Sequence, residues 1–321
     1  MTEALHISLA PLQGFTDFPF RKTIAQHASG IDVAYSPFIA TNENPEIAPS
    51  RLKDVWPDNK PQLPVIPQVL THSPKAFIRM ADALWQLGYS VINWNLGCPF
   101  PVVVKKQKGS GLLPHPERID GILNEVIPAI RNTLSIKCRL GWDSPKQIMD
   151  LVPVFNRYPL HEVIIHPRLG TQKYSGKLDL NTFAKAATSI QAPVVFNGDI
   201  SNLDGWNHIH TLFPEQSRFM IGRGLIQNPF LAEEIRMNKE LNNKVTRFQK
   251  FHTTLFEEYD HVLWGPTHIV DRMKGFWSFF SLSFENGHKV FKQIKKCHDK
   301  SRYLKIVQTF FDSSPTWKEE S

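Results

Sequence analysis

Cys98 stands in the run Asn95-Leu96-Gly97-Cys98-Pro99. A thiol held in such a turn can act as a nucleophile or give a proton to a reacting carbon. No histidine neighbours it in sequence to form a thiolate pair, which favours the proton donor. A small packing residue before Pro99 is the non-chemical alternative. Two glycine turns, Asn197-Gly198-Asp199 and Gly222-Arg223-Gly224, offer backbone N–H groups and a guanidinium to an anion such as phosphate; as plain tight turns they would need no ligand. Gln68, Lys137 and His166 stand in or at the ends of apolar runs. An amide that pairs with a pyrimidine edge and a cation that stabilises negative charge on a reduced ring suit a flavin. Otherwise Lys137 is an exposed strand-end lysine and His166 a satisfied histidine near the core.

These groups form one site only if the fold gathers them. Apolar, β-branched runs occur at His6–Pro11, Asp32–Pro37, Pro64–Leu70, Val91–Asn95, Leu134–Arg139, Glu162–His166, Pro193–Asn197 and Arg218–Gly222, alternating with helical patterns. Strands covered on both faces read as unbroken apolar runs, as Val163-Ile164-Ile165 does. Between the third and fourth runs the spacing predicts an amphipathic helix. Pro74 lies in its first turn, Phe77, Ala81, Leu84 and Trp85 share a face, and Gly88 closes it. Eight such units predict an α/β TIM (β/α)8 barrel, with a doubly wound open sheet as the alternative.

A TIM barrel builds its active site at the C-terminal ends of its strands. Every candidate falls at such an end: Pro11, Leu12 and Gln13 after the first strand, Gln68 on the third, Asn95 to Cys98 on the fourth, Lys137 and Arg139 on the fifth, and His166 on the sixth. The two glycine turns follow strands seven and eight, where this fold usually binds phosphate.

From about residue 241 the strand signal stops and helical periodicity with aromatic stripes takes over, interrupted at Gly265-Pro266. The expected organisation is a barrel over 1–240 and a small helical domain over 241–321. The formal charge of +7 is concentrated there: Lys289, Lys292, Lys295, Lys296, Lys300, Arg302 and Lys305 face the single acid Asp299. A basic helical surface of this kind suits a polyanion. Three scattered cysteines suit neither a disulfide framework nor a zinc site, and their odd number favours a reducing compartment. With no secretory pattern at the N-terminus and no run of 18 or more apolar residues, a cytoplasmic protein without membrane or metal is expected.

The motifs APLQGFTD, PVIPQVL, INWNLGCPFPVVVKKQKGSGLL, SIKCRLGWD, IIHPRLGTQKYSG, VVFNGDI and MIGRGLIQNP, in order over residues 8–230, resemble the tRNA-dihydrouridine synthases. The resemblance implies an FMN-bearing barrel followed by an RNA-binding helical domain, acting on tRNA. It implies reduction of the uracil C5–C6 bond, with the flavin recharged by NADPH or NADH. Cys98 matches the family's general acid, which protonates C5 after hydride reaches C6 from flavin N5. Asn95 and Arg139 match contacts to the target nucleotide. Pro11, Leu12, Gln13, Gln68, Lys137 and His166 match flavin contacts, and Asn197, Gly198, Asp199, Gly222 and Arg223 match the phosphate cradle. Lys292, Lys295 and Lys296 are the expected RNA-binding residues, and a monomer is expected. Gln13, Pro167 and Leu169 depart from the common pattern without removing an assigned chemical group. The pattern RMKGFWSFF followed by basic helices resembles the bacterial C-type branch. Small-molecule flavin barrels of the dihydroorotate or old-yellow-enzyme type share the phosphate turns but leave the basic helices without a task. A non-catalytic RNA-binding barrel would not need Cys98, Lys137 and His166 together.

Overall fold

A computed structural model describes residues 4–44, 46–57 and 62–318; the outermost residues of both expected domains lie outside these. The strands are β1 (His6–Leu9), β2 (Val33–Tyr35), β3 (Ile39–Ala40), β4 (Val65–Ile66), β5 (Gln68–Leu70), β6 (Val91–Leu96), β7 (Thr133–Gly141), β8 (Val163–Leu169), β9 (Val194–Phe196) and β10 (Arg218–Ile221). All pair in parallel, in the order β3-β5-β6-β7-β8-β9-β10-β1-β2-β4. β4 and β5 are halves of one strand, interrupted at Pro67, which has no N–H to give a ladder. Because β4 pairs with β2 and β5 with β6, the sheet closes on itself through that strand. The result is a barrel rather than an open sheet. β3, two residues long, is too short to leave a periodic signal in sequence.

Val33, Tyr35, Ile66, Ile164, Val195 and Met220 fill the barrel interior, so it is a packed floor beneath the strand ends and not a pore. Outside, the helix Pro74–Gln86 buries Ala76, Phe77, Met80, Ala81 and Leu84 against the sheet, and Ser73 caps it by accepting from the Ala76 N–H. Trp85, expected on that buried face, is 36% exposed at its edge; Met80 and Ala76 take its place. Gly88 closes the helix with φ +85°, a left-handed conformation that glycine adopts without strain.

Residues beyond 241 form the helices Lys244–Val262, Pro266–Phe280, Gly287–Lys295 and Lys300–Asp312. Their core is aromatic, with Phe248, Phe251, Phe276, Trp277, Phe280 and Tyr303 fully buried. Trp277 can only donate, so its N–H bond of 2.9 Å to the Tyr303 hydroxyl leaves that hydroxyl to donate to His252, 2.6 Å away. Burial pushes the His252 pKa down to about 3, so the ring is a neutral acceptor. Lys244–Val262 lies along the first barrel helix, Phe18–His27, through Lys22–Glu258 (2.7 Å), His27–Thr254 (2.8 Å) and the edge-on rings of Phe20 and Phe251. Arg272 donates to the Gly14 carbonyl after β1, so the helical region is fastened beside the barrel mouth. Among the described residues no helix is long and apolar enough to cross a membrane.

Candidate active site

A cavity of about 340 Å³ opens at the C-terminal ends of the strands. Its wall includes Pro11, Leu12, Gln13, Asn95, Cys98, Lys137, Arg139, His166, Asn197, Gly198, Asp199, Gly222 and Arg223, so six strand ends and turns, read separately in sequence, converge on one space. Gln68 does not line it. The Gln68 side chain is wholly buried, donates to Asn93 (2.7 Å) and accepts from Asn95 (2.6 Å). Both ends of the amide that was matched to the flavin are engaged within the protein, and its visible task is to orient Asn95.

Asn95 in turn shapes the cysteine loop. Its side-chain oxygen accepts from the backbone N–H groups of Gly97 (3.0 Å) and Cys98 (2.9 Å), an Asx turn that fixes where the thiol points. From the other side the Cys98 carbonyl accepts from the Ser110 N–H and hydroxyl, both at 3.0 Å. Gly109 allows this approach: a Cβ there would lie 2.6 Å from the Cys98 oxygen, and its φ is +56°. Arg139 completes the frame, donating to the carbonyls of Gly97 (3.0 Å) and Leu169 (2.8 Å). Burial lowers its pKa to about 10, so it remains a cation. Asn95 and Arg139, matched to nucleotide contacts, are thus also the struts of the Cys98 loop.

The thiol itself is buried. Burial raises its pKa above the usual value, against the opposing pull of the Phe100 backbone N–H and the Arg139 charge. It is therefore a neutral S–H at pH 7, the form that can donate a proton. Cys138 and Cys297 are also buried and unpaired by disulfide, and neither lines the cavity.

Lys137 stands at the cavity's depth, where burial and, next, the charge of Arg139 lower its pKa to about 7. An anion arriving there would restore its charge. His166 is held neutral by burial first and then by Arg139, Lys137, Arg168 and Arg223, which together push its pKa well below the usual value. Its Nε2 lies 3.2 Å from the Arg168 guanidinium. Arginine can only donate, so Nε2 accepts and the proton resides on Nδ1.

Arg168 is a residue that sequence reading did not single out. It forks onto both carboxylate oxygens of Asp199 and onto the Gly176 carbonyl, tying β8 to the turn after β9 and pinning the loop that carries Tyr174. The guanidinium of Arg139 lies 5.6 Å from the Tyr174 ring centroid and that of Arg223 5.1 Å, within cation–π range. Asp199 has φ +36° and also accepts from Arg223 at 2.9 Å. Burial pushes its carboxyl up, but the hydrogen bonds and charges of Arg168 and Arg223 outweigh that and leave its pKa below normal. The Asp199 carboxylate is thus engaged by two guanidiniums, those of Arg168 and Arg223. Arg223 and Gly224 begin the short helix Arg223–Gln227, where the first N–H groups have no carbonyl a turn earlier to bond. Gly198 packs on Leu178, which a Cβ would meet at 3.0 Å. Cations at both ends and apolar sides from Ala10, Pro11, Leu12 and Ile221 make a donor set that fits a flat ring bearing a phosphate.

Phe279 and Leu282, from the helical region, close the cavity's rim; nothing in their spacing marked them. Lys292, Lys295 and Lys296 are exposed and lie outside the cavity. Lys292 and Lys296 face Arg302 and Lys305 across a groove between the last two helices, while Lys295 lies 5.3 Å from the centre of the Phe291 ring. Among the described residues no group of His, Cys, Asp and Glu could hold a metal ion.

Residues 8–313 match the model of the dihydrouridine synthase family. A tRNA-dihydrouridine(16) synthase of Pseudomonas putida is 24% identical over 317 residues, covering 94% of this chain and 96% of its own length. The same-named protein of Haemophilus influenzae is 26% identical over 307 residues, covering 91% and 96%. The tRNA-dihydrouridine synthase B of Pasteurella multocida is 26% identical over 235 residues, covering 70% and 67%. Among solved structures, histamine dehydrogenase from Rhizobium sp. 4-9 superposes with a TM-score of 0.55 at 11% identity, over 78% of this chain and 48% of its own. Morphinone reductase superposes with 0.53 at 10%, over 74% and 87%. At such identities these two share the fold alone.

Proposed function

The chain belongs to the dihydrouridine synthase family, and from that membership we propose that it reduces the C5–C6 double bond of specific uridines in tRNA to 5,6-dihydrouridine, using FMN recharged by NADPH or NADH. The observation that carries this reading is the meeting, in one cavity, of a buried neutral thiol with a cationic cradle fit for a phosphate-bearing ring. Arg223 and the N–H groups that open its helix would hold the FMN phosphate, with Asp199 and Arg168 fixing Arg223. Lys137 would face the pyrimidine edge of the ring, and neutral His166 would offer its Nδ1 hydrogen. Bound there, FMN supplies the hydride that uracil accepts at C6. Cys98 gives its proton to C5, and the Asn95, Ser110 and Arg139 frame holds the sulfur at a fixed place while this happens. Two relatives aligned over most of the chain are named for position 16, which is therefore the first position to examine.

A uridine in folded tRNA must leave its stack to reach the cavity, at an unstacking cost of a few kcal/mol. Phosphate contacts from the groove of Lys292, Lys296, Arg302 and Lys305 would offset that cost. The helices from residue 241 onward are proposed as the tRNA-binding domain. The three cysteines are free and buried, in keeping with the proposed cytoplasmic setting, and we propose a monomer.

Purified protein should carry one non-covalent FMN per chain. Acid release followed by absorbance measurement checks this, and a colourless protein that FMN cannot reconstitute would contradict the proposal. Replacing Lys292, Lys295 and Lys296 together by glutamine should weaken tRNA binding and lower the slope of log affinity against log salt by ~2–3 if all three meet phosphates. FMN reduction by NADPH should proceed as before. Filter binding across a salt series decides it, and an unaltered slope would move the RNA face elsewhere.

A further inference from the structure

We infer that Phe100 is a wedge: its ring stacks on the nucleotide beside the target uridine and occupies the place the extruded base has left. The inference rests on the reading above, that the substrate is a uridine within folded RNA. Phe100 lines the cavity yet is 50% exposed, so the ring straddles the rim, half toward the site and half toward solvent. It lies two residues from Cys98, in the same loop. Its placement is stiff. Pro99 and Pro101 flank it and restrict the backbone on both sides. Its carbonyl accepts from Val103 (2.9 Å) and Val104 (3.0 Å), opening the one-turn helix Pro101–Val104.

That turn has two unlike faces. Val103 packs inward with Leu70 and Cys98, anchoring the turn to the reacting group. Phe100 and Val102 face outward, the latter 65% exposed. Lys105 and Lys106 follow at once and are exposed. An aromatic ring with cations one turn away matches a base and the phosphates flanking it, and the ring is continuous with the cavity that would receive the uracil. Insertion of an apolar side chain where a base has left is a recurrent way of holding a strand unstacked.

The test uses full-length, FMN-loaded enzyme with two substrates: a folded tRNA transcript and a short, unstructured uridine-containing oligoribonucleotide that needs no extrusion. Phe100→Ala should lose ~10–100-fold in kcat/KM on the tRNA, the worth of one stacked base, and at least tenfold less on the oligonucleotide. Phe100→Trp should recover most of the tRNA activity. A 2-aminopurine placed beside the target should be quenched by the wild-type enzyme and less so by the alanine variant. An equal loss on both substrates would assign Phe100 to the cysteine loop and overturn the wedge. No loss on tRNA would leave the ring idle and overturn it equally. A wild-type enzyme inactive on tRNA would remove the substrate reading, and the wedge with it.

Discussion

Cys98→Ala is expected to keep its bound FMN and to oxidise NADPH with an artificial acceptor, while forming dihydrouridine ~10²–10⁴-fold more slowly, the usual worth of a positioned acid. The reasoning starts from charge. Burial raises the thiol pKa, and neither the Phe100 N–H nor Arg139 brings it back to normal, so the sulfur carries its proton across the neutral range. Only the step that builds the new C–H bond at C5 needs that proton. Accepting hydride from NADPH does not. The sulfur also packs with Leu70 and Val103, and were packing its only task, the alanine variant would show lowered thermal stability or lost flavin with both half-reactions slowed alike. Stopped-flow traces of the two half-reactions separate the cases.

The second large effect concerns Lys137. Its pKa of about 7 lies well below that of a free lysine because burial disfavours the ammonium form. Reduced FMN carries negative charge beside N1 and would raise that pKa. Between pH 7 and the raised value, binding must then take up one proton, so affinity falls as pH rises, by about tenfold per unit or ~100-fold from pH 7 to 9. Below pH 7 the lysine is already charged and its contribution is flat. Lys137→Met should bind more weakly at pH 7 and lose this slope. Anaerobic equilibrium dialysis at pH 6 to 9 measures both; a wild-type affinity level through pH 9 would contradict the role.

How much of this was legible in the sequence follows from what kind of information each residue carries. The barrel was legible because strands buried on both faces leave unbroken apolar runs such as Val163-Ile164-Ile165, and eight of them recur with helices between. Strand ends were legible because polar residues such as Lys137 and His166 interrupt those runs. Hydrogen-bond allocation was not. In sequence Gln68 matches a flavin contact and Asn95 a nucleotide contact, yet the fold engages them with each other and, through Asn95, with the Cys98 loop. Arg168 was not singled out in sequence, although its fork onto Asp199 and Gly176 ties the turn after β9 to the tyrosine loop. The Gln68–Asn95 and Arg168–Asp199 pairings join residues 27 and 31 positions apart and have no local signature. Asp199 shows the same limit: its place at a strand end, on the cavity wall, was legible, but its two guanidinium partners were not. The closing residues Phe279 and Leu282 come from helices whose docking no periodicity specifies.

The most direct measurement is the conversion of an unmodified tRNA transcript by the purified protein with FMN and NADPH, read by mass spectrometry of the digested nucleosides. The account predicts that one or a few defined uridines gain two hydrogens, that position 16 is the first to appear, and that the gain disappears when NADPH is omitted. Uridine left unchanged in tRNA by protein that holds FMN and oxidises NADPH would contradict it, and would return the chain to the flavin barrels that act on small molecules.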